Sequence, residues 1–406
     1  MSTASAQLPV RRSVLQRIPW WVRVLVVFAL TRVVTSVILF QFAANQQANS
    51  WTGPSPSLIA FSSLWDGRWY EIIATAGYPS VLPVTEEGEI GENAWAFMPL
   101  YPVVVRGLML VTGLGWAAAA VTVSVICGAV ACLALYRLLR HSLNESQSLV
   151  AVLLFCVAPT SPMLQLAYAE SAAMMLTAIT LLLLVRRRWA LVFPVVLLLG
   201  LTRPSGLAFA AAMGLYVVYR WVRRAREPFP RSDWLPAVAL TGWGLVVGFL
   251  WPAAAWVVTG SPTAYTDTEL AWRASYIGYQ ELFPFTSWFQ GGAWWGEWWF
   301  QEPAIGIALV VLLIALFIGI LAAPWTRRLD LFSRAWIAGY GVYLLAFFFP
   351  QSSTFRLLGP MFPLVGALAI PRSPLFRVVL VGLGIAGQIV WISIGWAVDG
   401  YDWTPP

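Results

Sequence analysis

The chain contains no lysine, a single histidine, three cysteines and few charges of either sign. Charged residues make up 11% of its 406 positions, about half of what a water-soluble surface carries. That scarcity excludes ordinary soluble domains, disordered chain, a coiled coil and a nucleic-acid module. The one histidine, His141, follows Arg137 and Arg140 at the end of an apolar run. It offers no basis for a Ser–His triad or a His-rich metal centre. Cys127, Cys132 and Cys156 all lie inside apolar runs. They read as small core residues, not as a disulfide framework or metal-ligand cluster. What is abundant is apolar: hydrophobic residues reach 59% and mean hydropathy is +0.73. The reading is an all-α polytopic membrane protein.

A helix that crosses a bilayer needs about 20 apolar residues. Eleven segments qualify, several of them short: 20–40, 116–137, 147–161, 167–185, 189–202, 206–222, 236–258, 304–323, 334–349, 357–370 and 375–396. The apolar stretch 99–112 is read as lying on the outer surface, because counting it as a span reverses every later loop. With that choice 19 of the 25 arginines fall on the inner side, as the positive-inside rule requires. Only Arg32, Arg68, Arg106, Arg203, Arg273 and Arg356 lie within the membrane or outside, and 14 of the 18 acids avoid the inner segments. The pI of 9.6 is therefore topology charge, not a nucleic-acid stripe. Residues 1–19, with Arg11, Arg12 and Arg17 and no small-residue cleavage site, read as a cytoplasmic segment before a retained signal anchor. Residues 20–406 form a single transmembrane domain ending outside. Two long outer segments result, 41–115 and the Trp-rich 259–303. The tryptophans at 294–299 read as interface anchors. No internal repeat is found, which weighs against a transporter of inverted halves.

Within the first outer segment, Trp65, Trp69, Ile72, Ile73 and Ala76 fall on one helical stripe that suits the headgroup region. Gly77-Tyr78-Pro79 ends that short helix. Asp66, Tyr70 and Ile73 lie along its edge. Asp66 reads either as the acid of a Ser63-x-x-Asp66 capping box or as a catalytic group at the water–lipid boundary. Arg68 and Glu71 read as a local ion pair, and Glu86, Glu87, Glu89 and Glu92 as a solvated tip. Pro99 and Pro102 fix an extended entry into 103–112.

The run Leu64-Trp65-Asp66-Gly67-Arg68-Trp69-Tyr70, with Ile73-Ala74 and Gly77-Tyr78-Pro79, resembles the signature of PIG-V-type mannosyltransferases, relatives of the second mannosyltransferase of GPI-anchor synthesis in the GT-C superfamily. The resemblance continues in order through Phe97-Met98-Pro99-Leu100-Tyr101-Pro102, Pro159-Thr160-Ser161-Pro162 and Tyr168-Ala169-Glu170-Ser171. It ends with Leu201-Thr202-Arg203-Pro204-Ser205-Gly206, Phe355-Arg356-Leu357-Leu358 and Phe362-Pro363-Leu364, having covered about 300 residues. It implies a GT-C-like bundle of about eleven spans with amphipathic helices in a long first outer loop. It also implies inverting transfer of mannose from polyprenyl-phosphate-mannose on the extracytoplasmic face, with an acid of the first outer loop as base. Asp66 matches that position. No paired Asp-x-Asp occurs in that loop, so neither a metal nor another cofactor is expected. The all-arginine, Ala/Val/Leu-rich composition points to a GC-rich bacterium such as an actinobacterium, and hence to its plasma membrane.

A lipid-linked sugar phosphate carries a good leaving group. Its enzyme needs a base for the acceptor hydroxyl and cations facing the phosphate. Arg203, ending span 189–202, and Arg356, in the outer turn 351–356, can supply bidentate contacts to phosphate, though each also reads as a snorkelling arginine. Arg273, beside Trp272, is a third phosphate candidate or a loop support. Sugar or acceptor contacts are assigned to Trp65, Trp69, Tyr70, Tyr168 and Glu170, the last equally a helix-start acid. The partners are the lipid donor, membrane lipids and a glycolipid, lipoglycan or protein acceptor. Another lipid-linked sugar such as arabinose or glucose is the alternative substrate. A glycolipid transporter is the non-enzymatic one.

Overall fold

A computed structural model describes residues 18–398; Arg11, Arg12, Arg17 and the C-terminal end at 399–406 lie outside the described residues. Among those described, the chain is all-helical, with a lone antiparallel bridge between Val84 and Ile90 in the acidic tip. Five helices are long and apolar enough to cross a membrane: α1 (Trp20–Asn45), α4 (Trp116–Leu139), α9 (Arg231–Thr259), α12 (Pro303–Ala322) and α14 (Pro374–Trp391, extended by a π turn to Trp396). Shorter apolar helices complete the bundle: α3 (Leu100–Thr112), α5 (Glu145–Val157), α6 (Glu170–Val185), α7 (Trp189–Gly200), α8 (Gly206–Val222) and α13 (Leu331–Phe347). Three amphipathic elements lie in the two long predicted outer segments, α2 (Asp66–Ala76) in the first, and α10 (Ala264–Ile277) and α11 (Ser287–Phe300) in the second.

Hydropathy explains why these helices form and what they face. In α12, Leu312, Leu316 and Ile318 are all more than half exposed, an arrangement that only a lipid solvent makes favourable. α4 is buried over half its length and packs against α6, α5 and α1. Small residues set the closest approaches. A side chain at Gly206 would meet Gly248 Cα at 2.6 Å, and one at Gly244 would meet the Ala210 backbone at 2.8 Å, so α8 and α9 touch backbone to backbone. Cys132 and Cys156 are free core residues with sulfurs 3.4 Å apart.

The predicted segments and the helices differ at three places. Segment 357–370 is broken into Thr354–Leu357, a 3₁₀ stretch Gly359–Leu364 and Val365–Leu368, because Pro360 and Pro363 remove two backbone donors in succession. Segment 147–161 stops at Val157, and residues 161–169 form a wholly buried connection into α6. Pro102 sits inside the first turn of α3, where its missing N–H costs nothing, so the entry is helical from Leu100.

Ion pairs sort the helix ends into two groups. Arg23 pairs with Glu145, and both lie in a pocket with Arg137 and Arg140, while Arg187 pairs with Asp233. All of these were assigned to the inner side. Asp66, Glu170, Arg203 and Arg356 meet at the other end, with Glu170 and Arg187 separated by α6, whose 16 residues rise about 24 Å at 1.5 Å per residue.

Candidate active site

The chain enters α2 through Trp65, whose φ of 54° lies in the left-handed region that a bulky side chain rarely adopts. Burial holds it there, together with the bond from its indole Nε1 to the carbonyl of Trp396 (3.0 Å). Asp66 is then the first helical residue, and its N–H donates to the Tyr168 hydroxyl at 3.0 Å. The Ser63–Asp66 capping box does not form. Ser63 donates to Ala60 O, and no side chain caps α2. The buried face is also rotated from the predicted stripe: Gly67, Tyr70, Ile73 and Ala74 point inward, while Ile72 is exposed. Trp69 and Ile72 instead line an open groove of about 510 Å³ with Tyr78, Pro79, Leu82 and Glu92, on a different side of α2 from Asp66.

Released from capping, the Asp66 carboxylate faces two guanidiniums. Arg356 Nη1 donates to Asp66 Oδ2 at 2.6 Å and to Glu170 Oε1 at 2.8 Å. Arg203 Nη2 also donates to Glu170 Oε1 and stands 3.8 Å from Asp66 Oδ2. Both cations are thus shared by both acids, in a cluster of formal charge zero. Its side chains are buried to mostly buried, with exposures between 5% and 16%.

Each member is placed by a different part of the fold. Arg203 occupies the turn between α7 and α8, which the Gly206–Gly248 contact draws against α9. Arg356 sits in the Thr354–Leu357 turn, fastened to α13 by Tyr340 (hydroxyl to Leu357 O, 2.8 Å) and Trp336 (indole to Pro360 O, 2.8 Å). Glu170 begins α6. The preceding connection is stitched to the Asp66 loop by the Ala167 N–H donating to Ser62 O (2.9 Å). Arg32 anchors the same connection from α1 by donating to the carbonyls of Cys156 (2.6 Å) and Ser161 (2.7 Å). Tyr168 serves two members at once, accepting from the Asp66 N–H and lying under the Arg356 guanidinium, 5.2 Å from its ring centre.

The cluster is not internally satisfied. Glu170 Oε2, Arg356 Nε and the Tyr70 hydroxyl are buried without a hydrogen-bond partner among the described residues. Burial pushes the Tyr70 phenol above its ordinary range, so it stays a proton donor. The two unmet donors beside two cations suit an incoming anion, and the unmet Glu170 Oε2 suits a hydroxyl donor, better than a finished structural core does.

The other sequence candidates divide. Arg273 donates to Ser287 Oγ (3.2 Å) and Gln280 O (2.9 Å), tying α10 to α11 away from the cluster. Trp65 is a buried support, and Trp69 stacks on Phe97 at 5.8 Å. Arg68 pairs with Glu71 at 3.0 Å. The tryptophans of α11 pack on one another, Trp294 on Trp298 at 5.4 Å, with Trp298 and Trp299 exposed. Sequence reasoning missed Tyr340 and Trp336 of α13, whose bonds to Leu357 O and Pro360 O hold the turn that carries Arg356. The available signal was the i,i+4 spacing of these two aromatics on α13.

No protein-family model matches the sequence, and no curated protein matches it. The fold is similar to that of ArnT from Cupriavidus metallidurans bound to undecaprenyl phosphate, with a TM-score of 0.47 and 15% identity over 90% of this chain and 63% of that one. It is also similar to the archaeal oligosaccharyltransferase AglB from Archaeoglobus fulgidus in complex with an inhibitory peptide and a dolichol-phosphate, with a TM-score of 0.48 and 12% identity over 96% of this chain and 57% of that one. The chain therefore spans less than two thirds of the length of either. At that distance the functional assignment rests on the site itself.

Proposed function

We propose that this protein is an inverting membrane glycosyltransferase of the GT-C, PIG-V-like type. It moves mannose from polyprenyl-phosphate-mannose to an acceptor on the extracytoplasmic face of the plasma membrane. The observation that carries this reading is the convergence of Asp66, Glu170, Arg203 and Arg356, four residues from distant segments, in one buried cluster with unmet hydrogen-bonding capacity. All four lie on the same side of the membrane in the topology read from the apolar spans and the arginine bias.

The chemistry follows from the cluster's composition. The donor's phosphodiester carries one negative charge and competes with Asp66 for Arg356 and Arg203, both of which present planar donors suited to phosphate. As the phosphate takes those bonds, the Asp66 carboxylate is freed to accept the proton of the acceptor hydroxyl. The acceptor oxygen attacks the anomeric carbon opposite the phosphate, the C–O bond to phosphate breaks, and the departing dianion stays between the two guanidiniums. Glu170 keeps both arginines aimed. This positive charge does what a divalent ion would otherwise do, so the reaction is proposed to need no metal.

A charge cluster at the helix ends, not midway along several helices, favours an enzyme over a glycolipid transporter. The test is transfer of labelled sugar by purified protein in nanodiscs supplied in turn with polyprenyl-phosphate-linked mannose, arabinose and glucose, with acceptor lipids extracted from the host. Transfer from the mannose donor, insensitive to chelator, is the expected result. Transfer from another donor only would move the assignment to that sugar, and transfer from none would end it.

A further inference from the structure

The end of the bundle assigned to the inner side holds a pocket that the transferase reading does not use. Three helix ends frame it: the start of α1, the last turn of α4 and the start of α5. Its volume of about 420 Å³ lies within the range of small-ligand sites. One wall is aromatic. Trp20 stacks on Tyr136 with ring centres 5.3 Å apart and planes 4° from parallel, and the Arg137 guanidinium lies 5.0 Å from the centre of the Trp20 ring. The charges of the pocket do not cancel. Arg23 of α1 is held by Glu145 of α5, whereas Arg137 and Arg140 form no ion pair among the described residues. Arg140 donates Nη1 to Leu143 O at 2.7 Å, which leaves its other N–H groups for a ligand. Three arginines against one glutamate leave two positive charges uncompensated. The start of α1 adds to them, since no side chain caps its first N–H groups. The sequence before Ile18 supplies Arg11, Arg12 and Arg17 and no acid, so no anion comes from there.

We propose that this pocket binds an anionic phospholipid of the inner leaflet, one whose headgroup carries two phosphodiesters, as in cardiolipin. Arg137 and Arg140 stand three residues apart at the end of α4, so both reach the same side, and each takes one phosphate. Arg23, retained by Glu145, holds the start of α1 against α5 and keeps the pocket shaped. What marks the ligand as a lipid is the surface that continues from Arg23. Val26, Leu30, Val33 and Val37 follow it along α1 at three- and four-residue spacing, each half exposed or more, a stripe on which acyl chains can lie. Trp21, 50% exposed in the first turn, suits the headgroup level of a bilayer. A soluble phosphate would gain nothing from either feature. Plain topology charge looks different here: Arg223, Arg224 and Arg226 are all exposed on the turn after α8, and Arg223 already has Glu227 at 3.7 Å. The inference is independent of the transferase reading, whose charge cluster lies at the opposite end of the bundle.

Native mass spectrometry of the full chain in detergent, titrated with cardiolipin, phosphatidylglycerol and phosphatidylcholine, tests the site. Cardiolipin should bind most tightly, phosphatidylglycerol less and phosphatidylcholine least. The double variant Arg137→Ala/Arg140→Ala should bind cardiolipin roughly 30-fold more weakly. Arg224→Ala/Arg226→Ala removes the same charge from the exposed turn and should bind it as the wild type does. Glu145→Gln, which releases Arg23 to the ligand, should bind it about fivefold more tightly, a gain that no folding defect produces. Equal losses in the two double variants would reduce the effect to general surface charge and overturn the site. Cardiolipin binding no better than phosphatidylcholine would overturn it as well. Displacement of cardiolipin by inorganic phosphate or glycerol phosphate would move the pocket to a soluble anion and overturn the lipid assignment.

Discussion

Ion pairs occupy both ends of this bundle, and the contrast between them separates topology from chemistry. At one end Arg23 meets Glu145 and Arg187 meets Asp233, one cation to one anion, with one partner of each pair 48% and 41% exposed. At the other end two arginines and two acids share one another and none is more than 16% exposed; Glu170 Oε2 and Arg356 Nε have no partner among the described residues, as Arg23 Nε has none at the first end. Exposed single pairs contribute about 0–1 kcal/mol and serve mainly to mark which side of the membrane a loop occupies. A buried cluster pays several kcal/mol of desolvation per ion, and hydrophobic residues in its place would often be as stable. Its presence therefore calls for a ligand, and a neutral cluster with spare donors fits an anionic one.

Substitutions at the two ends should diverge accordingly. The largest effect on stability is expected from Arg356→Ala, which removes the cation bridging Asp66 and Glu170. Stability should fall by about 3–5 kcal/mol, as when one partner is taken from a buried pair, and the donor KM should rise roughly 10- to 100-fold from the lost charge-assisted bonds. Thermal unfolding in nanodiscs and a donor titration would check both. An unchanged KM would reduce Arg356 to a structural role. Tyr168→Phe should have a smaller effect, since it deprives the Asp66 N–H of its acceptor at a cost of about 1–3 kcal/mol and should lower kcat more than it raises KM. An effect confined to KM would indicate that Tyr168 holds the donor instead of orienting Asp66. Arg23→Ala at the opposite end should shift stability by about 0–1 kcal/mol or less and leave transfer kinetics untouched. A loss of turnover there would erase the distinction between the ends.

Much of the site was legible in the sequence because hydropathy and arginine bias decide at which end of the bundle a residue lies. Asp66, Glu170, Arg203 and Arg356 were placed at one end on that basis, and the motifs resembling PIG-V-type enzymes singled out the same positions. What the pattern could not give was neighbours. Ser63-x-x-Asp66 satisfies the spacing of a capping box, yet two arginines more than 130 residues away hold the carboxylate instead of the helix end. Arg273 shared the outer side with the cluster but is occupied by Ser287 and Gln280. Segment 357–370 read as a span from its apolar content, while Pro360 and Pro363 made it the broken support that carries Arg356. Tyr340 and Trp336 escaped notice because the carbonyls they bond, Leu357 O and Pro360 O, lie in a segment that reads as a continuous span.

The account depends most on the Asp66 carboxylate as the base, and Asp66→Asn tests it most directly, since the amide oxygen can still accept from Arg356 while the proton acceptor is lost. In nanodiscs, the variant should bind polyprenyl phosphate with near wild-type affinity and transfer mannose about 10²- to 10⁴-fold more slowly. Transfer at the wild-type rate, with the variant folded and binding its donor, would contradict the central claim.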